Sequence, residues 1–75
     1  MDYTRDDKLL IKLGKRIRTL RKERKLTQIQ LGVLCNNYAE QIGRIERGEL
    51  NVSVSTLNII AKALKIKLPE LVDVD

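Results

Sequence analysis

This 75-residue chain is expected to fold as a single all-α domain of five helices. Three observations carry that expectation. Apolar residues recur at helical spacing through successive segments. Hydroxyl side chains able to cap a helix, Thr27 and Ser53, stand just ahead of two of those segments. Residues that stop a helix, the pair Asn36 and Asn37 and then Gly48, follow where two of the stripes end. No strand, repeat, linker or low-complexity segment interrupts the pattern, so residues 1–75 are read as one domain, near the lower size limit for a self-sufficient core.

In order along the chain, residues 1–7 are polar and expected to fray. A first helix runs from Lys8 to about Arg24 on a stripe of Leu10, Leu13, Ile17 and Leu20. Gly14 interrupts it at a cost of about 1 kcal/mol relative to alanine, which makes it a candidate for close packing. Lys25 and Leu26 form the connection, with Leu26 placed to staple the next helix from its N′ position. Helix two covers about Gln28 to Cys35, capped by Thr27, with Leu31, Leu34 and Cys35 on one face. Asn36 then suits a turn, because asparagine best tolerates a left-handed backbone among non-glycine residues. Helix three covers about Tyr38 to Arg47, with Tyr38, Ile42 and Ile45 inward. After a loop at 49–52, Ser53 opens a helix whose stripe is Val54, Leu57, Ile60, Ala61 and Leu64. Pro69 fits the first position of a final short helix, with Leu68, Leu71 and Val72 as its apolar side.

Helices two and three, joined by so short a turn, make a helix-turn-helix pattern. The steep crossing lets Leu31, Cys35, Ile42 and Ile45 meet inside. It leaves an outer face on helix three that carries Ala39, Glu40, Gly43, Arg44 and Arg47. A helix lying in a DNA major groove needs such a face. Taken alone, an ordinary amphipathic helix with a solvated charged side would read the same way.

Composition narrows the alternatives. The chain has no histidine and one cysteine, which excludes zinc fingers, disulfide scaffolds and Ser-His or Cys-His catalysis. No metal site and no cofactor are expected, and Cys35 on an apolar helix face reads as a reduced core thiol. The charged start and the short apolar run Leu9-Leu10-Ile11 exclude a signal peptide or membrane span, so a cytoplasmic protein is expected. The net charge of +5 is unevenly spread: residues 8–25 hold nine Lys or Arg against the single Glu23. Residues 70–75 hold Glu70, Asp73 and Asp75 with no basic residue. A basic helix beside a groove-reading helix is the electrostatic footprint of a phosphate binder, although a solvated face or a membrane-surface helix can carry similar charge. An apolar face committed to the core weighs against the membrane.

The residues also resemble a known family. Leu26-Thr27-Gln28 with Leu31, then Ile42 with Arg44-Ile45-Glu46-Arg47-Gly48, then Asn51 with Ser53, Thr56-Leu57 and Ile60-Ala61-Lys62-Ala63-Leu64 resemble the phage repressor and Cro-like (Xre) helix-turn-helix family over roughly residues 13–71. The resemblance implies a compact five-helix lambda-repressor-like DNA-binding domain. It implies that Gln28 braces the recognition helix and contacts a phosphate, and that Ala39, Glu40 and Arg44 contact bases, with Tyr38 and Gln41 at the margins. It pairs Arg21 on helix one with Glu46 on helix three, a bidentate lock rather than a catalytic pair. Three positions depart from the family pattern: Gly32 replaces the usual alanine of helix two, Asn36 the usual turn glycine, and Gly43 a common serine.

Recognition would then rest on Arg44, whose planar fork suits guanine O6 and N7. Glu40 can accept from cytosine N4 or pair with Arg44 one turn on. Ala39 can touch a thymine methyl or serve as a small spacer. Gln28, Asn37, Tyr38, Arg47 and Asn51 are the phosphate-contact candidates, with Arg16, Arg18 and Lys22 adding long-range attraction. The two tyrosines are the sole aromatics, which argues against single-stranded nucleic acid. One module reads few base pairs, so a homodimer on a palindrome in double-stranded DNA is expected, with a dimer surface at Leu64, Ile66, Leu68, Leu71 and Val72. The expected function is a transcription regulator, a repressor or autoregulator of the kind found in phages, antitoxins and restriction–modification controllers. The alternative is a protein-interaction module on the same fold without DNA binding. No enzymatic activity is expected, since no nucleophile or metal set accompanies the carboxylates Glu40 and Glu46, and no small-molecule site is evident.

Overall fold

In a computed structural model, residues 5–36 and 39–75 are described, and among them lie five helices and no strand. These are α1 (Asp7–Glu23), α2 (Gln28–Leu34), α3 (Ala39–Glu46), α4 (Val54–Ala63) and α5 (Leu68–Leu71). Asn37 and Tyr38, two of the expected phosphate contacts, lie outside the described residues. No helix among the described residues is long and apolar enough to cross a membrane.

Side chains cap the starts of α1, α2 and α4. Asp6 Oδ1 accepts from the Leu9 amide at 3.0 Å. Thr27 Oγ1 accepts from the Gln30 amide at 3.0 Å while Gln30 Oε1 accepts from the Thr27 amide at 2.8 Å, a reciprocal capping box. Ser53 Oγ accepts from the Thr56 amide at 3.1 Å. Residues 5–7 are therefore tied down rather than frayed: Asp6 caps α1, and Arg5 donates to Asp7 and to the Gly48 carbonyl. Pro69 is the second residue of α5 rather than the first, still within the turn whose N–H groups lack helical partners.

Three helices end alike. The Leu26 amide donates to the Arg21 carbonyl, Glu49 to Arg44, and Ile66 to Ala61, each enclosing an inner bond between the next residues in: Lys25 to Lys22, Gly48 to Ile45, and Lys65 to Lys62. This is the Schellman arrangement, and its left-handed residues are Lys25, Gly48 and Lys65, with φ of 56°, 75° and 61°. Two lysines thus occupy a backbone region that costs roughly 1–2 kcal/mol outside glycine. The residues that follow them, Leu26 and Ile66, pack against the core and hold the turns in place. Asn36 is left-handed as well, with φ of 62°.

The core gathers Leu13, Ile17 and Leu20 from α1 with Leu31, Cys35, Ile42, Ile45, Leu57, Ile60, Ala61, Leu64 and Leu71. Cys35 is a free thiol there, and burial pushes its pKa up. Leu34 does not join it, being 55% exposed, because α2 turns its Leu31–Gly32 side inward and Cys35 fills the place beyond. Val54, in the first turn of α4, is 68% exposed for want of a facing element. Leu64 and Leu71 are completely buried, so two of the five residues expected at a dimer surface are spent within the monomer. The acidic C-terminus folds back: Lys12, Lys15 and Arg16 share a depression with Asp73, Val74 and Asp75, and Arg16 donates to the Glu70 carbonyl at 2.9 Å.

The joint between α1 and α3 is polar. Arg21 Nε and Nη2 donate to Glu46 Oε2 and Oε1 at 2.6 and 3.0 Å, and Arg21 Nη1 donates to the Leu26 carbonyl at 2.8 Å. Gln28 Nε2 reaches the same carboxylate at 3.1 Å. The ion-paired side chains are only 9% and 2% exposed. Hydrogen bonding to the Glu46 carboxylate holds the Arg21 guanidinium above its ordinary pKa against the opposing effect of burial. Beside them, a Cβ on Gly14 would lie 2.5 Å from the Ile45 carbonyl oxygen, so only glycine lets α1 come this near.

Arg21→Ala or Glu46→Ala alone should each cost about 3–5 kcal/mol, by leaving a buried charge unpaired. The double variant should lose less than the sum of the two in urea denaturation; strictly additive losses would mean that the pair is uncoupled. In the same assay Leu31→Ala should cost about 2–5 kcal/mol and Leu34→Ala no more than about 0.5 kcal/mol, since only Leu31 is buried.

Candidate nucleic-acid interface

The position of α3 is set by what lies beneath it. A Cβ on Gly32 would fall 2.5 Å from the Ala39 amide nitrogen, so α2 and the start of α3 touch backbone to backbone. Alanine, the common residue at that position in the family, would force this crossing apart. Ala39 is correspondingly half-buried against α2.

Ile42, Gly43, Ile45 and Glu46 form the inward side of α3. Glu40, Gln41, Arg44 and Arg47 are exposed together on the other side. Gly43, expected on the open face, is instead covered. A Cβ there would meet Arg47 Nη1 and Gln28 Oε1, each at 3.2 Å. The bare glycine is the floor on which the Gln28 and Arg47 side chains converge, from the start of α2 and the end of α3. Gln28 is therefore bonded to Glu46 on one side and adjacent to Arg47 on the other.

Beyond Gly48 the chain turns back, and Glu49 joins the arginines. Arg47 Nε and Nη2 donate to Glu49 Oε2 and Oε1 at 2.6 and 3.4 Å, and Arg44 Nε lies 3.7 Å from Glu49 Oε1. Those hydrogen bonds hold the Glu49 carboxyl below its usual range and raise the Arg47 guanidinium. Among the described residues the ion-pair partner of Arg44 is thus Glu49 and not Glu40. Asn51 is exposed in the loop that follows.

The basic run of α1 is divided. Arg16 is turned toward α5, and Arg24 Nε donates to the Leu64 carbonyl at 2.6 Å, so neither faces α3. Arg18, one turn before Arg21, and Lys22, next to it in sequence and one turn after Arg18, are exposed. Two features escaped the sequence reading: the capping partner Gln30, which the spacing Thr27-x-x-Gln30 signals, and Glu49, whose place depends on the turn at Gly48. Among the described residues no cluster of acidic or thiol side chains is arranged to hold a metal ion. The surface offers exposed guanidinium forks on a helix braced from below. That combination suits planar, bidentate acceptors such as guanine edges and phosphates.

Comparison with known proteins agrees with this geometry. Residues 17–71 match the family model described as Helix-turn-helix (HTH_3). The immunity repressor protein of Bacillus phage phi105 is 45% identical over 60 residues, 80% of this chain and 42% of the repressor. Control protein C.SmaI of Serratia marcescens is 41% identical over 59 residues, 79% of this chain and 70% of that protein. The chain thus spans less than half the length of the phage repressor that it matches. Among solved structures, the restriction-modification controller protein C.AhdI from Aeromonas hydrophila superimposes with a TM-score of 0.80 at 39% identity, covering 83% of this chain and 90% of that one. An HTH_3 family transcriptional regulator from Vibrio cholerae gives 0.83 at 27% identity, over 89% of this chain and 38% of that one. The chain belongs to the Cro/C1-type (Xre) helix-turn-helix family of DNA-binding transcription regulators.

Proposed function

We propose that this chain regulates transcription by binding a palindromic operator in double-stranded DNA as a homodimer, with α3 in the major groove. The observation that carries this reading is the exposed set Glu40, Gln41, Arg44 and Arg47 on a helix whose opposite side is locked to α1 and α2 by Glu46. Arg44 reads guanine, Glu40 and Gln41 flank it on base edges, and Ala39 keeps the entry to α3 close to α2. Gln28 and Arg47, meeting over Gly43, take phosphates, with Asn51, Asn37 and Tyr38 completing that set. A repressor or autoregulator acting in the cytoplasm fits relatives named as an immunity repressor and as restriction–modification controllers.

Dimerisation falls to the α4–α5 end. With Leu64 and Leu71 spent in the core, the surface is built on half-buried Ile66 and Leu68 and on exposed Val72. Such a pair of modules would present two recognition helices about one DNA turn apart. A role limited to protein contacts has one observation in its favour, the exposed Ile29 and Val33 beside Leu34 on α2. It supplies no use for the arginine face of α3.

Fluorescence anisotropy with the chain's own upstream DNA, across a salt series, tests the reading. Binding should exceed that to a scrambled duplex and weaken with salt at a slope near −0.9 per phosphate neutralised. Arg44→Ala should lose about 1–3 kcal/mol of discrimination. Equal binding of both duplexes would refute sequence-specific regulation, and a sedimentation mass of one protomer on the operator would refute the dimer.

A further inference from the structure

We propose that Glu49 is a positioning residue that sets the selectivity of the DNA face, holding Arg44 and Arg47 and suppressing their binding to arbitrary phosphates. The inference rests on the DNA-binding reading above and deepens it, because neither the family pattern quoted for this sequence nor the contact set assigns Glu49 a role.

The backbone brings Glu49 to this place with little freedom. Its amide donates to the Arg44 carbonyl at 2.9 Å, the outer bond of the turn that ends α3. Gly48, left-handed and buried, sits so close to α1 that a Cβ would lie 2.8 Å from Ile11 Cγ1, and its carbonyl accepts from Arg5 Nη2 at 3.4 Å. The turn is therefore held from α1, and the carboxylate it presents can reach both arginines. The three side chains remain open to solvent, 55% for Arg44, 58% for Arg47 and 47% for Glu49. Exposed pairs of this kind add little to stability, so their effect lies in how charge is offered to a ligand.

Two consequences follow from the donor geometry. Arg47 turns its Nε and Nη2 edge to Glu49, so a phosphate that takes that edge must displace a carboxylate, whereas Nη1, beside Gln28 over Gly43, stays open to the phosphate of the operator pose. Random DNA is bound almost entirely through phosphates, and that competition acts on it in full. Arg44 comes no nearer to Glu49 than 3.7 Å, at Nε, beyond hydrogen-bond distance, so the carboxylate attracts its guanidinium without tying up the donors that would meet the O6 and N7 of guanine. Glu49 thus orients the base-reading fork without occupying it. The same carboxylate reduces the local positive potential and weakens non-specific attraction more than operator binding. Glu49 is a carboxylate at neutral pH as any exposed glutamate is, and its hydrogen bond with Arg47 holds its pKa lower still.

The test compares wild type with Glu49→Gln, which keeps shape and removes charge, on the upstream operator duplex and on a scrambled duplex of equal composition. The variant should bind the scrambled duplex about 5-fold more tightly, with a salt slope steeper by about one. Operator affinity should change by less than about 2-fold, so the ratio between the duplexes falls several-fold. Equal tightening on both duplexes, or an unchanged ratio, would overturn the role of Glu49 while leaving regulation intact. A wild-type protein that failed to distinguish the duplexes would overturn both.

Discussion

A guanidinium from α1 and a carboxylate from the last turn of α3 meet almost out of reach of water, and the remaining geometry depends on their contact. Two parallel hydrogen bonds between planar groups constrain rotation as well as distance. A purely apolar contact would leave α3 freer to roll. Glu46 also accepts from Gln28, and Arg21 also donates to Leu26, so one ion pair references α1, α2, α3 and the connection between the first two. Desolvation makes such a pair a poor source of net stability, yet losing either partner strands the other charge. Its value lies in orientation: with Glu46 held inward, the opposite side of α3 must face solvent, and that side carries Glu40, Arg44 and Arg47.

Backbone proximity makes the contact attainable. Gly14 brings α1 against the carbonyls at the end of α3, and Gly32 brings α2 against the beginning of it. The recognition helix is thus gripped near both ends by positions without a side chain. A domain of this size has few residues to bury, and shortening the distances between helix axes lets a modest set of Leu and Ile side chains close the core.

Charge is allotted in a similar way. Of the basic run in α1, Arg24 secures the end of α4 and Arg16 secures α5, while Lys12 and Lys15 lie beside Asp73 and Asp75. Arg18 and Lys22 are exposed beside Arg21, and among the exposed arginines of the α3 surface stands Glu49. The net charge of +5 therefore overstates the positive field that the proposed DNA face presents, and local selectivity depends on a few fixed contacts.

Much was legible in one dimension because its causes are local. Helical spacing, the caps at Thr27 and Ser53, the stop at Gly48 and the turn at Asn36 depend on residues a few positions apart, and they determined the five helices, the helix-turn-helix and the outward residues Glu40, Arg44 and Arg47, while Ala39 and Gly43, expected on the same open face, are half-buried and buried. The family pattern extended this to Arg21, Gln28 and Glu46, whose partners lie far along the chain. What the tertiary structure alone decided has non-local causes. Leu34 and Val54 are apolar at helical spacing yet exposed, because no element comes to cover them. Leu64 and Leu71 go to the core instead of a dimer surface, because α5 folds over α4. Lys25 and Lys65 accept a left-handed backbone, because Leu26 and Ile66 are anchored beyond them. Glu49 reads as an ordinary loop residue until Ile11 and Arg5 hold the turn at Gly48 and bring its carboxylate to the arginines. Periodicity reports which way a side chain points from its own helix; only packing determines what it meets there.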